Sequence, residues 1–122
     1  MLPITRFPSE SPDGKSLGRS RTTVYNGLVF TVATADTYEL DMARQTREAL
    51  ANLDRQLAEA GTGKSRLLSA TVYLIDMAQK PAMNAVWLDW VDHANPPQRA
   101  CIGASLEEGD MIEIVAVAAT RS

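Results

Sequence analysis

The chain has 122 residues, 45% apolar and 22% charged, with a net charge of −3, a composition that fills one cored domain and leaves too little for a second. The acidic balance provides no general attraction to nucleic acid or to an anionic membrane surface, and no apolar run approaches the ~18 residues needed to span a bilayer. A single cysteine, Cys101, and a single histidine, His93, exclude an internal disulfide and a cysteine/histidine zinc shell, so a cytoplasmic protein acting on a small molecule, with no metal, membrane or nucleic-acid partner, is expected.

In chain order, Met1-Leu2-Pro3-Ile4-Thr5-Arg6 lacks the basic-then-apolar build of a signal peptide. Residues 9–21 mix Ser, Pro, Gly, Asp and Lys with little periodicity, and residues 1–21 are expected to form an irregular N-terminal arm of a single domain spanning 1–122. Thr22-Thr23-Val24-Tyr25 and Leu28-Val29-Phe30-Thr31-Val32-Ala33 flank Asn26-Gly27, a hairpin signal because both turn positions tolerate positive φ. From Met42 the period changes. Met42, Thr46, Ala49, Leu50, Leu53, Leu57 and Ala60 share one helical stripe that Gly61 and Gly63 terminate. Leu67-Leu68-Ser69-Ala70-Thr71-Val72-Tyr73-Leu74-Ile75 reads as a central strand. Pro81 opens a second helix that buries Met83, Val86, Trp87, Trp90 and Val91, with His93 placed to cap its C-terminal end. Residues 99–106 and 110–119, joined by Glu107-Glu108-Gly109, are expected to form a second hairpin. The order ββ-α-β-α-ββ predicts an α+β fold: a mixed sheet with two helices packed on one face.

Two helices cover only one face, yet the last strand is apolar on both: Ile112, Ile114, Ala116 and Ala118 on one side, Met111, Val115, Val117 and Ala119 on the other. A closed homo-oligomer with clefts between subunits is therefore expected. Within this frame Arg99 follows Pro96-Pro97 at the start of a small-residue strand, where its fork of N–H donors matches a carboxylate. Glu113 interrupts an otherwise apolar strand. A three-residue loop ending in Gly109 sets Gly103 opposite Glu113 and brings Arg99, Cys101 and Glu113 to one face; a two-residue loop turns Glu113 to the other.

Pro97-Gln98-Arg99-Ala100-Cys101-Ile102, Ile112-Glu113-Ile114-Val115-Ala116-Val117-Ala118, Met83-Asn84-Ala85-Val86-Trp87 and Thr71-Val72-Tyr73-Leu74-Ile75-Asp76-Met77, in this order and spacing, resemble the Rid/YjgF family of reactive-intermediate deaminases. The resemblance implies a chorismate-mutase-like fold, a homotrimer with ligand clefts between subunits, and hydrolysis of 2-imino acids or enamines such as 2-aminoacrylate to 2-keto acids and ammonia without metal or organic cofactor. It implies that Arg99 holds the substrate carboxylate, that Glu113 positions the attacking water, and that Cys101 and Asn84 line the pocket. By composition alone Cys101 is a small buried hydrophobe, Asn84 a solvated or capping side chain and Glu113 an edge-strand charge.

Two positions depart from the family pattern. Where many members have a tyrosine ahead of the first hairpin this chain has Arg19 or its neighbour Ser20, and where they have a serine on the second strand it has Val32. A pocket with Arg19 among its binding residues is more cationic and more apolar, which suits a bulkier or doubly anionic ligand. The expected activity is that of a 2-iminobutanoate/2-iminopropanoate deaminase-like hydrolase, with a non-catalytic keto-acid binding module as the alternative. Nucleic-acid cleavage, attributed to some members of the family, is disfavoured here by the acidic balance and the absence of a basic stripe.

Overall fold

The computed structural model describes residues 1–121. Strands β1 (Thr5–Glu10), β2 (Ser16–Tyr25) and β3 (Leu28–Thr34) precede helix α1 (Met42–Glu59); β4 (Leu67–Leu74), α2 (Lys80–Trp90), β5 (Gln98–Gly103) and β6 (Ile112–Ala119) follow. The six strands form one sheet in the order β1-β2-β3-β6-β4-β5. The first hairpin is as expected, with Tyr25 opposite Leu28 and both turn residues at positive φ, Asn26 at 49° and Gly27 at 83°. β4 and β5 are parallel neighbours, and β6 is antiparallel to both β3 and β4.

Burial alternates along the strands as a one-sided core requires. Val29 and Ala33 of β3, Val72 and Leu74 of β4, and Ile112 and Ile114 of β6 meet Leu50, Leu53 and Leu57 of α1 and Met83 and Trp87 of α2. Asp41 caps α1 by accepting the Arg44 amide at 3.0 Å, and His93 Nε2 lies 2.7 Å from the Leu88 carbonyl near the end of α2. On the opposite face Leu28, Phe30, Val32 and Ile102 stay exposed around the half-buried Val115 and Val117. No element of the described chain covers them.

Three expectations fail, each for a physical reason. Residues 1–21 are not an irregular arm, because β1 and the first part of β2 pair as an antiparallel ribbon. They face solvent and carry no two-residue apolar period, so the pattern that betrays a strand is missing. The second hairpin does not exist: β6 inserts between β3 and β4, so β4 separates it from β5. Gly103 consequently pairs with Leu74, while Glu113 pairs with Thr34 on one side and Tyr73 on the other. Met111, placed by parity on the outer face, is buried in the core because the strand begins only at Ile112.

The connection into β6 is held by one side chain. Fully buried Gln45 donates through Nε2 to the carbonyls of Glu39 and Gly109, each at 2.9 Å, and accepts the Met111 amide at 2.8 Å. It therefore ties the segment that leads into α1 and the loop that leads into β6 to the helix. Replacing it with alanine takes the side-chain partner from the Gly109 carbonyl and the buried Met111 amide, and Gln45→Ala is expected to cost about 2–3 kcal/mol. Thermal unfolding checks this: the midpoint should fall by roughly 10 °C, and an unchanged midpoint removes the anchoring role.

Candidate functional site

Arg99, Asn84 and Cys101 form one cluster. Arg99 and Cys101 pair with Ala70 and Val72, whose side chains point into the core, so all four share the helix-covered side of the sheet. α2 is laid against this side by Met83 and Trp87, which brings Asn84 to the strand. Arg99 Nη1 donates to Asn84 Oδ1 at 2.8 Å, and the guanidinium carbon lies 5.2 Å from the centroid of the Trp87 ring. Asn84 and Trp87 thus fix the cation from two directions while most of its N–H donors stay unspent. Among the described residues no carboxylate pairs with Arg99. A half-buried, oriented guanidinium with no carboxylate partner has N–H donors free for an anion such as a carboxylate. Cys101 is a free thiol packed at the rim of the core.

Glu113 belongs to a second cluster on the far side. β2 follows β3 only as far as the Thr22–Thr31 pair and then departs with β1, leaving the end of β3 paired with β6 on one side and without a neighbour on the other. Buried side chains of α1 fill in: Gln56 Nε2 donates to the Val32 carbonyl at 2.8 Å and to Thr31 Oγ1 at 2.7 Å, and Asn52 Nδ2 donates to the Thr34 carbonyl at 2.8 Å. The wedge left open is a cavity of about 460 Å³ whose walls include Arg19, Ser20, Val32, Arg55, Asp110 and Glu113. Burial and the neighbouring Glu107 charge push the Asp110 carboxyl above its ordinary range. Both positions that depart from the family pattern, the Arg19/Ser20 pair and Val32, therefore open onto the same space as Glu113.

The one-face constellation of Arg99, Cys101, Gly103 and Glu113 is not formed. Arg99 is level with Ala70 and Glu113 with Tyr73, two strands and three residues apart, or about 14 Å at ordinary strand spacings. Their side chains also leave the sheet on opposite faces. One small acid cannot touch both residues of one chain. Asn52, Gln56 and Arg55 were missed from the sequence because an amphipathic count assigns polar residues on α1 to solvent. Their signal is the edge of β3 that β2 leaves unpaired beyond Thr31, which only the sheet pairing reveals. Among the described residues no group of three or more His, Cys, Asp or Glu is arranged to hold a metal ion, and no helix is long and apolar enough to cross a membrane.

The family model described as Endoribonuclease L-PSP matches residues 18–120. A RutC family protein of Haemophilus ducreyi is 41% identical over 82% of this chain and 87% of its own length, and one of Haemophilus influenzae is 35% identical over 81% and 88%. A crystal structure of a YjgF family member from Neisseria meningitidis superimposes with a TM-score of 0.88 at 34% identity, covering 98% of this chain and 97% of that one.

Proposed function

The chain belongs to the Rid/YjgF family, and from that premise we propose that it hydrolyses 2-imino acids, or their enamine tautomers, to 2-keto acids and ammonia at clefts between the subunits of a cytoplasmic homotrimer. The observation that carries this reading is the separation of Arg99 from Glu113 onto opposite faces of one sheet. Each is half of a site, and a second copy supplies the other half. The uncovered apolar face around Phe30, Val32 and Ile102 gives the copies a reason to associate.

In the assembled cleft Arg99, aimed by Asn84 and Trp87, holds the substrate carboxylate. Glu113 of the adjoining copy orients a water. The water oxygen bonds to the imine carbon as the C=N π pair moves to nitrogen, and Glu113 takes the proton released. That proton passes to nitrogen, the C–N bond breaks, ammonia leaves, and Glu113 takes the hydroxyl proton as the keto oxygen forms and gives it up to solvent. A protonated imine carbon is already electrophilic, so positioning and proton transfer suffice and no cofactor is called for. Asn84 and Cys101 line the pocket on the Arg99 side and Arg19 on the Glu113 side.

The cavity walls weigh against a phosphodiester substrate. Asp36, Glu107, Asp110 and Glu113 set four carboxylates where a polyanionic backbone would have to lie. The test is clearance of 2-iminopropanoate, generated in place by an amino-acid oxidase and trapped with semicarbazide. Trapping should fall as ammonia and pyruvate appear faster with the protein present. Pyruvate binding without any acceleration, across several imino acids, would replace the enzyme with a keto-acid binding module.

A further inference from the structure

We infer that the cleft prefers 2-imino acids whose side chain ends in a second carboxylate, received by Arg19 and Arg55. This rests on the hydrolytic reading above and names its substrate class. The placement of Arg19 is a built feature of the β1–β2 ribbon. Between the Pro8–Ser20 and Glu10–Ser16 pairs, two steps of β1 face four steps of β2. The surplus forms a bulge around Gly18, whose φ of 75° relieves it, and Arg19 lies in that bulge at the cavity wall. Bulges turn side chains out of the regular strand direction, and here the turned side chain is a guanidinium.

The other arginines of the cavity differ in how far they are committed. Arg21 spends its fork on Glu59, at 3.2–3.3 Å, and on the Pro8 carbonyl at 3.4 Å. Arg55 donates to the neutral Asn52 amide, and among the described residues neither Arg19 nor Arg55 has a carboxylate partner. Two uncompensated cations therefore share the space with the carboxylates of Asp36, Glu107, Asp110 and Glu113. A lining of both signs suits neither a bare anion nor an apolar acid. It suits a ligand with a cationic iminium beside the carboxylates and an anionic end beside the guanidiniums, with Val32 against the methylene between them.

The test compares imino acids generated in place from aspartate, glutamate and alanine. The wild-type protein should clear 2-iminosuccinate or 2-iminoglutarate with a kcat/KM above that for 2-iminopropanoate. Arg19→Ala and Arg55→Ala should each lower the diacid-to-monoacid ratio by about 10- to 100-fold, the worth of a charge-assisted hydrogen bond, with Arg19→Lys restoring part of it. A wild-type preference for the monoacid, or an equal fall for both classes in the variants, overturns the inference and leaves the hydrolytic reading intact. Clearance of no imino acid overturns the hydrolytic reading instead. Calorimetry then decides the selectivity: oxaloacetate or 2-oxoglutarate binding more tightly than pyruvate, with the margin lost in Arg19→Ala, supports it, and equal affinities overturn it.

Discussion

The Arg99→Ala protein should lose imino-acid hydrolysis by about 100- to 1,000-fold in kcat/KM, because the substrate carboxylate loses a bidentate, charge-assisted contact and with it the orientation of the imine carbon. Arg99 is suited to this effect by what surrounds it. Asn84 at 2.8 Å and the Trp87 ring at 5.2 Å hold the guanidinium without neutralising it. Arg99→Lys keeps the charge but not the fork, and should recover only a small part of the activity. Fold loss is not the expected cause, since Arg99 is only half-buried at the edge of the sheet and circular dichroism should be unchanged. Steady-state kinetics on 2-iminopropanoate supply the measurement, and a loss of less than about threefold would be too small for a carboxylate anchor.

Glu113→Gln carries the second large effect. The amide keeps the shape of the side chain and removes the acceptor that the proposed hydrolysis assigns to the water proton, so kcat should fall by about 100- to 10,000-fold, the usual worth of a general base, while KM changes little. Stability should be nearly unaffected. Glu113 is half-buried between Thr34 and Tyr73 and has no salt-bridge partner among the described residues. A fall in kcat/KM that lies wholly in KM would make Glu113 a binding group and leave the proton to another carboxylate, with Asp110 in the same cavity as the candidate.

Local chemistry was legible in the sequence where a single element fixes it. The Asn26-Gly27 turn, the α1 stripe from Met42 to Leu57, the start of α2 beside Pro81 and the small-residue strand after Pro97 all follow from spacing and turn residues. The position of β6 did not follow, because nothing within β5 or β6 records that β4 will stand between them. That choice is made by the packing of α2 and by pairing over long separations. The error carried directly into the site: a hairpin would have set Gly103 opposite Glu113, whereas the true partners are Thr34 and Tyr73. β1 escaped notice because an exposed ribbon has no buried face to impose a period. Gln45, Asn52 and Gln56 escaped for the opposite reason, being polar residues buried to satisfy backbone groups that the sheet leaves open. Of the residues singled out from the sequence, Arg99, Asn84 and Cys101 gather on one side and Arg19 and Glu113 on the other.

That division has one direct test, the joining of the two halves across a subunit boundary. Arg99→Ala and Glu113→Gln chains, each expected to be inactive alone, are co-expressed with different affinity tags, and oligomers holding both are isolated. In a ring of three, every mixed oligomer contains one cleft with both side chains intact, so about one third of wild-type activity should return. Activity that stays at the level of the single variants would mean that Arg99 and Glu113 serve a site within one chain, or serve none together.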